Sequence, residues 1–188
     1  MKNIFTLFVL IAALITTGAS AQQAGLLDSS YGYYGKGYIF GVSNIGNAAL
    51  QPDNKVVMVG TNYIGASSTI AVGRLTTAGF ADSTFSGDGK LSINISTSST
   101  NNYSFAGDVV VQPDGKIVVA GYNYYQFGLL RLKPNGDRDS TFGTNGLTLT
   151  PAAEQFHHAN KVLLQPDGKI VVVGTTTAPD CASWCSGT

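Results

Sequence analysis

The sequence has little charge and only two cysteines. Charged residues make up 12% of its 188 residues, and eleven basic side chains balance eleven acidic ones, so the formal net charge is zero. Domains that bind nucleic acid or an anionic membrane surface through electrostatics carry a basic excess. The charge balance therefore argues against nucleic acid and anionic membranes as partners. A hydrophobic fraction of 44% is also too high for a chain without a folded core.

The N-terminus has the pattern of a secretory signal peptide over residues 1–21. Lys2 precedes an apolar run from about Ile4 to Ile15, and small residues follow in Ala19-Ser20-Ala21. Such a run is too short to span about 30 Å of hydrocarbon. We expect cleavage after Ala21, a linker over residues 22–27, and a soluble protein, secreted or at the cell surface, that does not insert into the membrane after cleavage.

The two cysteines, Cys181 and Cys185, lie four residues apart near the C-terminus. In an oxidising compartment a local disulfide is the default interpretation, with inert thiols as the alternative. A structural metal site needs four ligands in a compact pattern, and His157 and His158 are the chain's only histidines. The pattern therefore favours a disulfide or free thiols over a metal.

A unit of about 55 residues recurs after the N-terminal segment. Three markers define it: a Gln-Pro-Asp turn, an Asp-Ser-Thr-Phe string, and an apolar run that ends in Arg-Leu. The turn begins at Gln51, Gln112 and Gln165. The Asp-Ser-Thr-Phe string begins at Asp82 and Asp139, with an early version at Asp28, and the Arg-Leu pair begins at Arg74 and Arg131. Counted from the aspartate, the repeats span residues 28–81, 82–138 and 139–188. A third arginine is absent, so we expect the last repeat to be truncated.

The local signals within a repeat are those of β-strands. Ile117-Val118-Val119-Ala120 and Ile170-Val171-Val172-Val173 are continuous, β-branched-rich runs, which is typical of strands covered on both faces. Each follows a Pro-Asp-Gly turn that predicts a hairpin. With one strand before the hairpin and one after it, each repeat has four short strands.

Together these patterns predict an all-β, β-propeller-like array of four-stranded antiparallel blades. A β-solenoid or a set of sandwiches could use similar strands, but the length of the unit favours a propeller. Propellers typically have about four to eight blades. Three repeats, the last one truncated, therefore make an incomplete ring.

The string QPDGKIVVAG, followed by an Arg-Leu strand, a glycine turn and DSTFG, resembles the delta-60 repeat, a bacterial β-propeller repeat of unknown function. The resemblance extends from Asp28 to about Thr176. It implies a secreted or surface protein with more repeats, often with a C-terminal sorting domain, and it supplies no catalytic residues. Because this chain stops within a repeat, we expect it to be a fragment of a longer protein.

Two sets of acidic residues could be taken for metal sites. The aspartates of the repeated turn, Asp53, Asp114 and Asp167, are explained by turn chemistry alone. Asn135, Asp137 and Asp139 alternate as calcium ligands do. However, the sixth and twelfth positions of that loop hold serine and glycine where a calcium loop needs glycine and glutamate. We therefore expect neither a metal nor another cofactor.

Tyr122, Tyr124 and Tyr125 are the candidate ligand-binding residues, because they follow an apolar strand and could form an aromatic platform for a glycan or a peptide. Packing between blades is the simpler explanation. Glu154 is the only glutamate, and standard enzymatic motifs are absent.

The sequence thus indicates a non-enzymatic, exported scaffold or interaction module that binds an unknown protein or glycan. Self-association through an open blade face is a further possibility. The alternative is a carbohydrate-binding or carbohydrate-active propeller, in which two carboxylates would act as a pair.

Overall fold

The computed structural model describes residues 26–96, 102–123, 126–151 and 157–176. The predicted signal peptide, Tyr124, Tyr125, Glu154 and both cysteines lie outside these ranges. The strands in the described residues are β1 (Ile45–Leu50), β2 (Val56–Ile64), β3 (Ser67–Leu75), β4 (Lys90–Ile93), β5 (Phe105–Val111), β6 (Ile117–Asn123), β7 (Gln126–Leu132), β8 (Leu147–Pro151), β9 (His157–Leu164) and β10 (Ile170–Thr176). No helix in this part of the chain is long and apolar enough to cross a membrane.

The strands form three antiparallel sheets. Sheet 1 has the order β1-β2-β3-β4, sheet 2 has the order β5-β6-β7-β8, and sheet 3 contains β9 and β10 within the described residues. The strand after the Asp-Ser-Thr-Phe string closes the sheet that precedes it, since β4 pairs with β3 and β8 with β7. Sheets and sequence repeats are therefore offset by one strand.

The Gln-Pro-Asp turns join the first two strands of every sheet, as the sequence predicts. The amide of Asn54 donates to the carbonyl of Gln51 at 2.9 Å, and Gly115 and Gly168 make the same bond. Asn54 has a φ of 63°, and the two glycines have φ values of 81° and 84°. Positive φ at this position lets the chain turn back into the ladder.

Alternate residues of the second strands pack against opposite neighbours. In β6, Ile117 and Val119 pack with sheet 1, whereas Val118 and Ala120 pack with sheet 3. All four side chains have no exposed surface. Burying a valine or isoleucine side chain contributes about 1.5–3 kcal/mol. Sheet 2 is thus held by apolar packing on both faces.

The first strands of the three sheets, β1, β5 and β9, lie side by side. Asn47 Nδ2 donates to the carbonyl oxygen of Gly107 at 2.6 Å. Lys161 Nζ lies 3.1 Å from Asn47 Oδ1 and 3.5 Å from Asp108 Oδ1. Asn47, Asp108 and Lys161 occupy the same position, four residues before the glutamine of each turn. A single lysine therefore reaches both preceding sheets, which shows that the three first strands surround a common axis.

The N-terminal segment covers part of sheet 1 on the side away from sheet 2. Ile39 and Val42 pack with Met58, Ala71 and Leu75. The amide of Gly32 donates to the carbonyl of Ala78 at 2.7 Å. This segment repeats the sequence around the fourth strand, and it docks on sheet 1 as the corresponding part of sheet 1 docks on sheet 2.

Gly107 lies where β5 meets β9, and a Cβ atom there would be 2.0 Å from the carbonyl oxygen of Ala159. We predict that Gly107→Ala lowers the free energy of unfolding by about 1–3 kcal/mol, because the backbones must separate. Gly46 is the equivalent glycine of β1, and its Cβ would meet nothing within 4 Å. Gly46→Ala is therefore the matched control, and urea unfolding measures both. Equal losses in the two variants would contradict the close approach of β5 and β9.

Candidate functional site

An arginine–aspartate ion pair closes the connection between the third and fourth strands of sheets 1 and 2. Arg74 Nε donates to Asp82 Oδ2 at 2.8 Å, and Arg131 Nε donates to Asp139 Oδ2 at 2.8 Å. Asp82 is 3% exposed and Asp139 is 2% exposed. A charge buried to this extent requires a partner. Two of the sequence markers, the Arg-Leu run and the Asp-Ser-Thr-Phe string, therefore belong to one structural unit.

The threonine and phenylalanine of the marker complete the same arrangement. Thr84 donates to Asp82 Oδ1 through its amide at 3.1 Å and through its hydroxyl at 2.6 Å. The guanidinium of Arg74 donates to Thr84 Oγ1 at 2.8 Å and lies 5.0 Å from the centre of the Phe85 ring. Sheet 2 repeats these contacts with Thr141 and Phe142. The marker thus satisfies a buried charge with hydrogen bonds and a cation–π contact.

Arg74 also connects two sheets. Its Nη1 donates to the carbonyl oxygen of Pro134, which lies in the connection of sheet 2. Next to this contact, the amide of Ser86 donates to the carbonyl oxygen of Asn135 at 2.8 Å. Lys55 Nζ lies 3.0 Å from Asp82 Oδ2 and supplies a second positive charge. The ion pair of sheet 1 therefore fixes its own corner and the neighbouring sheet together.

The electrostatics of this corner stabilise ionised aspartate. Burial by itself would raise the pKa of Asp82, but hydrogen bonds from Thr84 and Lys55 and the charge of Arg74 outweigh it and lower the pKa to about 2 from 3.8. The pKa of Asp139 is also lowered, chiefly by its hydrogen bond from Thr141. These shifts stabilise the fold above the usual pKa of aspartate.

The early version of the marker differs at its aspartate. Asp28 is exposed and accepts hydrogen bonds from the amide and hydroxyl of Ser30. Its backbone neighbourhood still follows the pattern, because the bond from Gly32 to Ala78 corresponds to the bond from Ser86 to Asn135. The N-terminal copy therefore keeps the docking contact of the marker without a buried carboxylate.

Of the three candidate tyrosines, the structure describes Tyr122. Its ring stacks on Phe105 with centroids 5.2 Å apart, and His158 lies 4.6 Å away on a tilted plane. Burial raises the pKa of Tyr122, and Tyr63 adds to the effect. The ring therefore packs between sheets 2 and 3. Tyr63, which is 62% exposed and lies 6.5 Å from Phe105, is the solvent-facing member of this aromatic cluster and was not a sequence candidate.

The acidic residues considered as metal ligands have other partners. In each Gln-Pro-Asp turn the aspartate Oδ1 accepts the amide of the lysine two residues later at 3.2 Å. Asn135 and Asp137 bond to each other, whereas Asp139 is taken by Arg131. Among the described residues no three histidine, cysteine or acidic side chains are grouped to hold a metal ion.

A surface depression next to sheet 3 lies beside β10. It has a volume of about 350 Å³ and is lined by Phe127, Leu129, Thr150, Val172, Gly174 and Thr175. In sheets 1 and 2 the corresponding space beside the second strand holds β3 and β7. Within the described residues, the outer edge of β10 has no paired strand. An exposed edge of this kind can accept another strand.

Comparison with known families gives a match to one family model. Residues 51–85, 112–142 and 165–180 match the family model described as a domain of unknown function (DUF5122) beta-propeller. The sheets are blades of an unclosed β-propeller over the described residues. The first two matches run from the glutamine of the turn to the phenylalanine of the marker, so each spans the whole ion-paired corner of a blade. Searches of curated proteins and of solved structures find no match.

The propeller expected from the sequence is thus confirmed as a fold. Blades 1 and 2 have four strands, and blade 3 shows its first two within the described residues. The sequence markers located the repeats, but they did not reveal that arginine and aspartate pair with each other. Their constant separation of eight residues was the available signal.

We predict that Asp82→Asn lowers the free energy of unfolding by about 3–5 kcal/mol, because it leaves Arg74 buried without a counter-charge. Asp88→Asn is the control: its carboxylate side chain is 59% exposed and 3.7 Å from Lys90, and a surface pair of this kind contributes at most about 1 kcal/mol. Urea unfolding at neutral pH measures the loss of stability in both variants.

The same pair predicts a dependence on pH. The pKa of Asp82 is depressed in the folded state, so its contribution is present above pH 3.8 and is lost as the pH falls toward 2. The shift corresponds to about 2 kcal/mol. Wild type should lose this increment between about pH 4 and pH 2, whereas Asp82→Asn should not. An identical pH profile for both proteins would contradict the assignment.

Proposed function

We propose that the protein is an exported, non-enzymatic propeller module that serves as a scaffold or interaction surface through its uncovered blade faces. The observation that carries the proposal is the exposure of apolar residues in the end blades at positions that blade 2 buries. Leu163 and Val173 are 53% and 51% exposed, whereas the equivalent positions in blade 2 lie in the core cluster between blades 2 and 3. Exposed apolar surface of this kind marks interaction sites.

The chemistry of the described residues supports a structural role for the repeated charges. The carboxylates that recur in blades 1 and 2 bind arginine or close turns. The delta-60 repeat, with its secreted and surface-located members, is the finer assignment that we propose for these propeller repeats. The pattern of residues 1–21 supports export, and N-terminal sequencing of extracytoplasmic protein should begin at Gln22.

A photo-crosslinking amino acid at position 163 tests the interaction surface in the cells that make the protein. We predict that Leu163 replaced in this way forms adducts with a defined protein, which mass spectrometry identifies. Ile64 is the control position, because it is 63% exposed but lies at the tip of the β2–β3 hairpin. Adducts at neither position, or equal adducts at both, would contradict the proposal.

Glycan binding is a second candidate, and the exposed ring of Tyr63 beside Phe105 favours it. Aromatic rings with one face open to solvent can stack on apolar surfaces of ligands. We predict that glycan-array signals, if they reflect this site, disappear in Tyr63→Ala and persist in Tyr34→Ala, whose tyrosine is 87% exposed and lies in the N-terminal segment. An array without a signal, or with a signal that both variants retain, rules out the candidate.

A further inference from the structure

The two end blades expose faces that are counterparts of each other. When the glutamines of the three turns are aligned, Leu163, Val171 and Val173 of blade 3 correspond to Val110, Val118 and Ala120 of blade 2. Those blade 2 residues pack against blade 3. We call the three blade 3 residues the C-terminal face. This face has the positions with which one blade contacts the next.

Blade 1 exposes the opposite counterpart. Ile45, Ala48 and Leu50 correspond to Ala106, Val109 and Val111 of blade 2, which pack against blade 1. We call these three residues the N-terminal face. Ile45 and Leu50 are 48% and 64% exposed. The N-terminal segment packs with the outer part of blade 1, at Val56, Met58 and Leu75, and leaves Ile45 and Leu50 exposed.

We infer that the C-terminal face of one chain binds the N-terminal face of a second copy, head to tail. This inference rests on the interaction role proposed above and names the partner. The contact would repeat the one that the chain already makes twice, between blades 1 and 2 and between blades 2 and 3. A second copy is the occupant that the structure itself specifies, because each copy carries both halves of the interface.

The geometry also limits the assembly. A head-to-tail contact closes into a ring when its rotation divides a full turn. The described residues of each copy contain three sheets, so two copies of this segment give a ring of six, which lies within the usual four to eight blades. The N-terminal segment of each copy would then lie at the outer side of the other copy's blade 3, where it occupies the place of a fourth strand. The predicted state is a closed dimer with two identical contacts.

The test is the mass of the purified protein by light scattering and sedimentation, with one substitution on each face. We predict that wild type is a dimer and that Leu163→Asp and Leu50→Asp each reduce the mass by half. Both side chains are more than half exposed in the chain, so the substitutions should leave the folded monomer intact; circular dichroism checks this. Ile64→Asp should remain dimeric.

A mixture of the two variants tests the head-to-tail arrangement directly. In a head-to-tail contact, the intact N-terminal face of the Leu163→Asp chain still fits the intact C-terminal face of the Leu50→Asp chain. The mixture should therefore form an open heterodimer although each variant alone is monomeric. A monomeric wild type overturns the inference, as does a dimer that only one of the two substitutions dissociates, since that would be a contact between identical faces.

The crosslinking result separates this inference from the proposed function. Adducts at Leu163 with another copy of the chain support both. Adducts with a different protein support the interaction role and overturn self-assembly. The absence of adducts rejects the interaction role itself.

Discussion

Each blade is apolar on both faces, and this constraint governs the rest of the structure. Residues of the second strands point alternately to the preceding and the following blade, so no blade can bury its apolar side chains alone. In blade 2 both faces are covered, and Ile117, Val118, Val119 and Ala120 are completely buried. Within the described residues, blades 1 and 3 each have one neighbouring blade, and their second faces expose apolar residues such as Leu50 and Leu163. The surface that holds neighbouring blades together is therefore also the surface that the proposed interaction would use.

The ion pairs stabilise the connections between the third and fourth strands. The long connection between the third and fourth strands leaves the sheet and returns to it, and a buried aspartate accepting bonds from arginine, threonine and, in blade 1, lysine fixes that path. Such a pair is costly to desolvate, and removing one partner leaves the other charge buried without a counter-charge. In blade 1 the arginine also bonds to the next blade through Pro134. In blade 1 the corner therefore connects two blades and also fixes the path of its own chain.

Much of this fold could be predicted from the sequence, because its strongest signals are local. Proline, aspartate and glycine specify the turns, and β-branched runs specify the covered strands. The boundaries of the blades could not be predicted, because β4 pairs with β3 across a long connection and nothing local selects that partner over β1. The pairing of Arg74 with Asp82 is not part of the sequence prediction, although the arginine and aspartate markers are eight residues apart in both blades. Binding residues were harder to predict than strands, as Tyr122 shows. Its position after an apolar run indicated a ligand-binding platform, but its ring packs against Phe105 and His158.

The central claim is that a blade owes its stability to neighbours on both sides, and hydrogen exchange of the dilute, monomeric protein tests it most directly. The first five residues of β6 and β10 differ only at the fourth position, and both strands follow the same turn. They differ in that β6 is flanked by two strands and two blades, whereas β10 has one of each within the described residues. The account predicts that amides of β6 exchange only through global unfolding and that those of β10 exchange faster through local opening. Equal protection of the two strands in the monomer would contradict it.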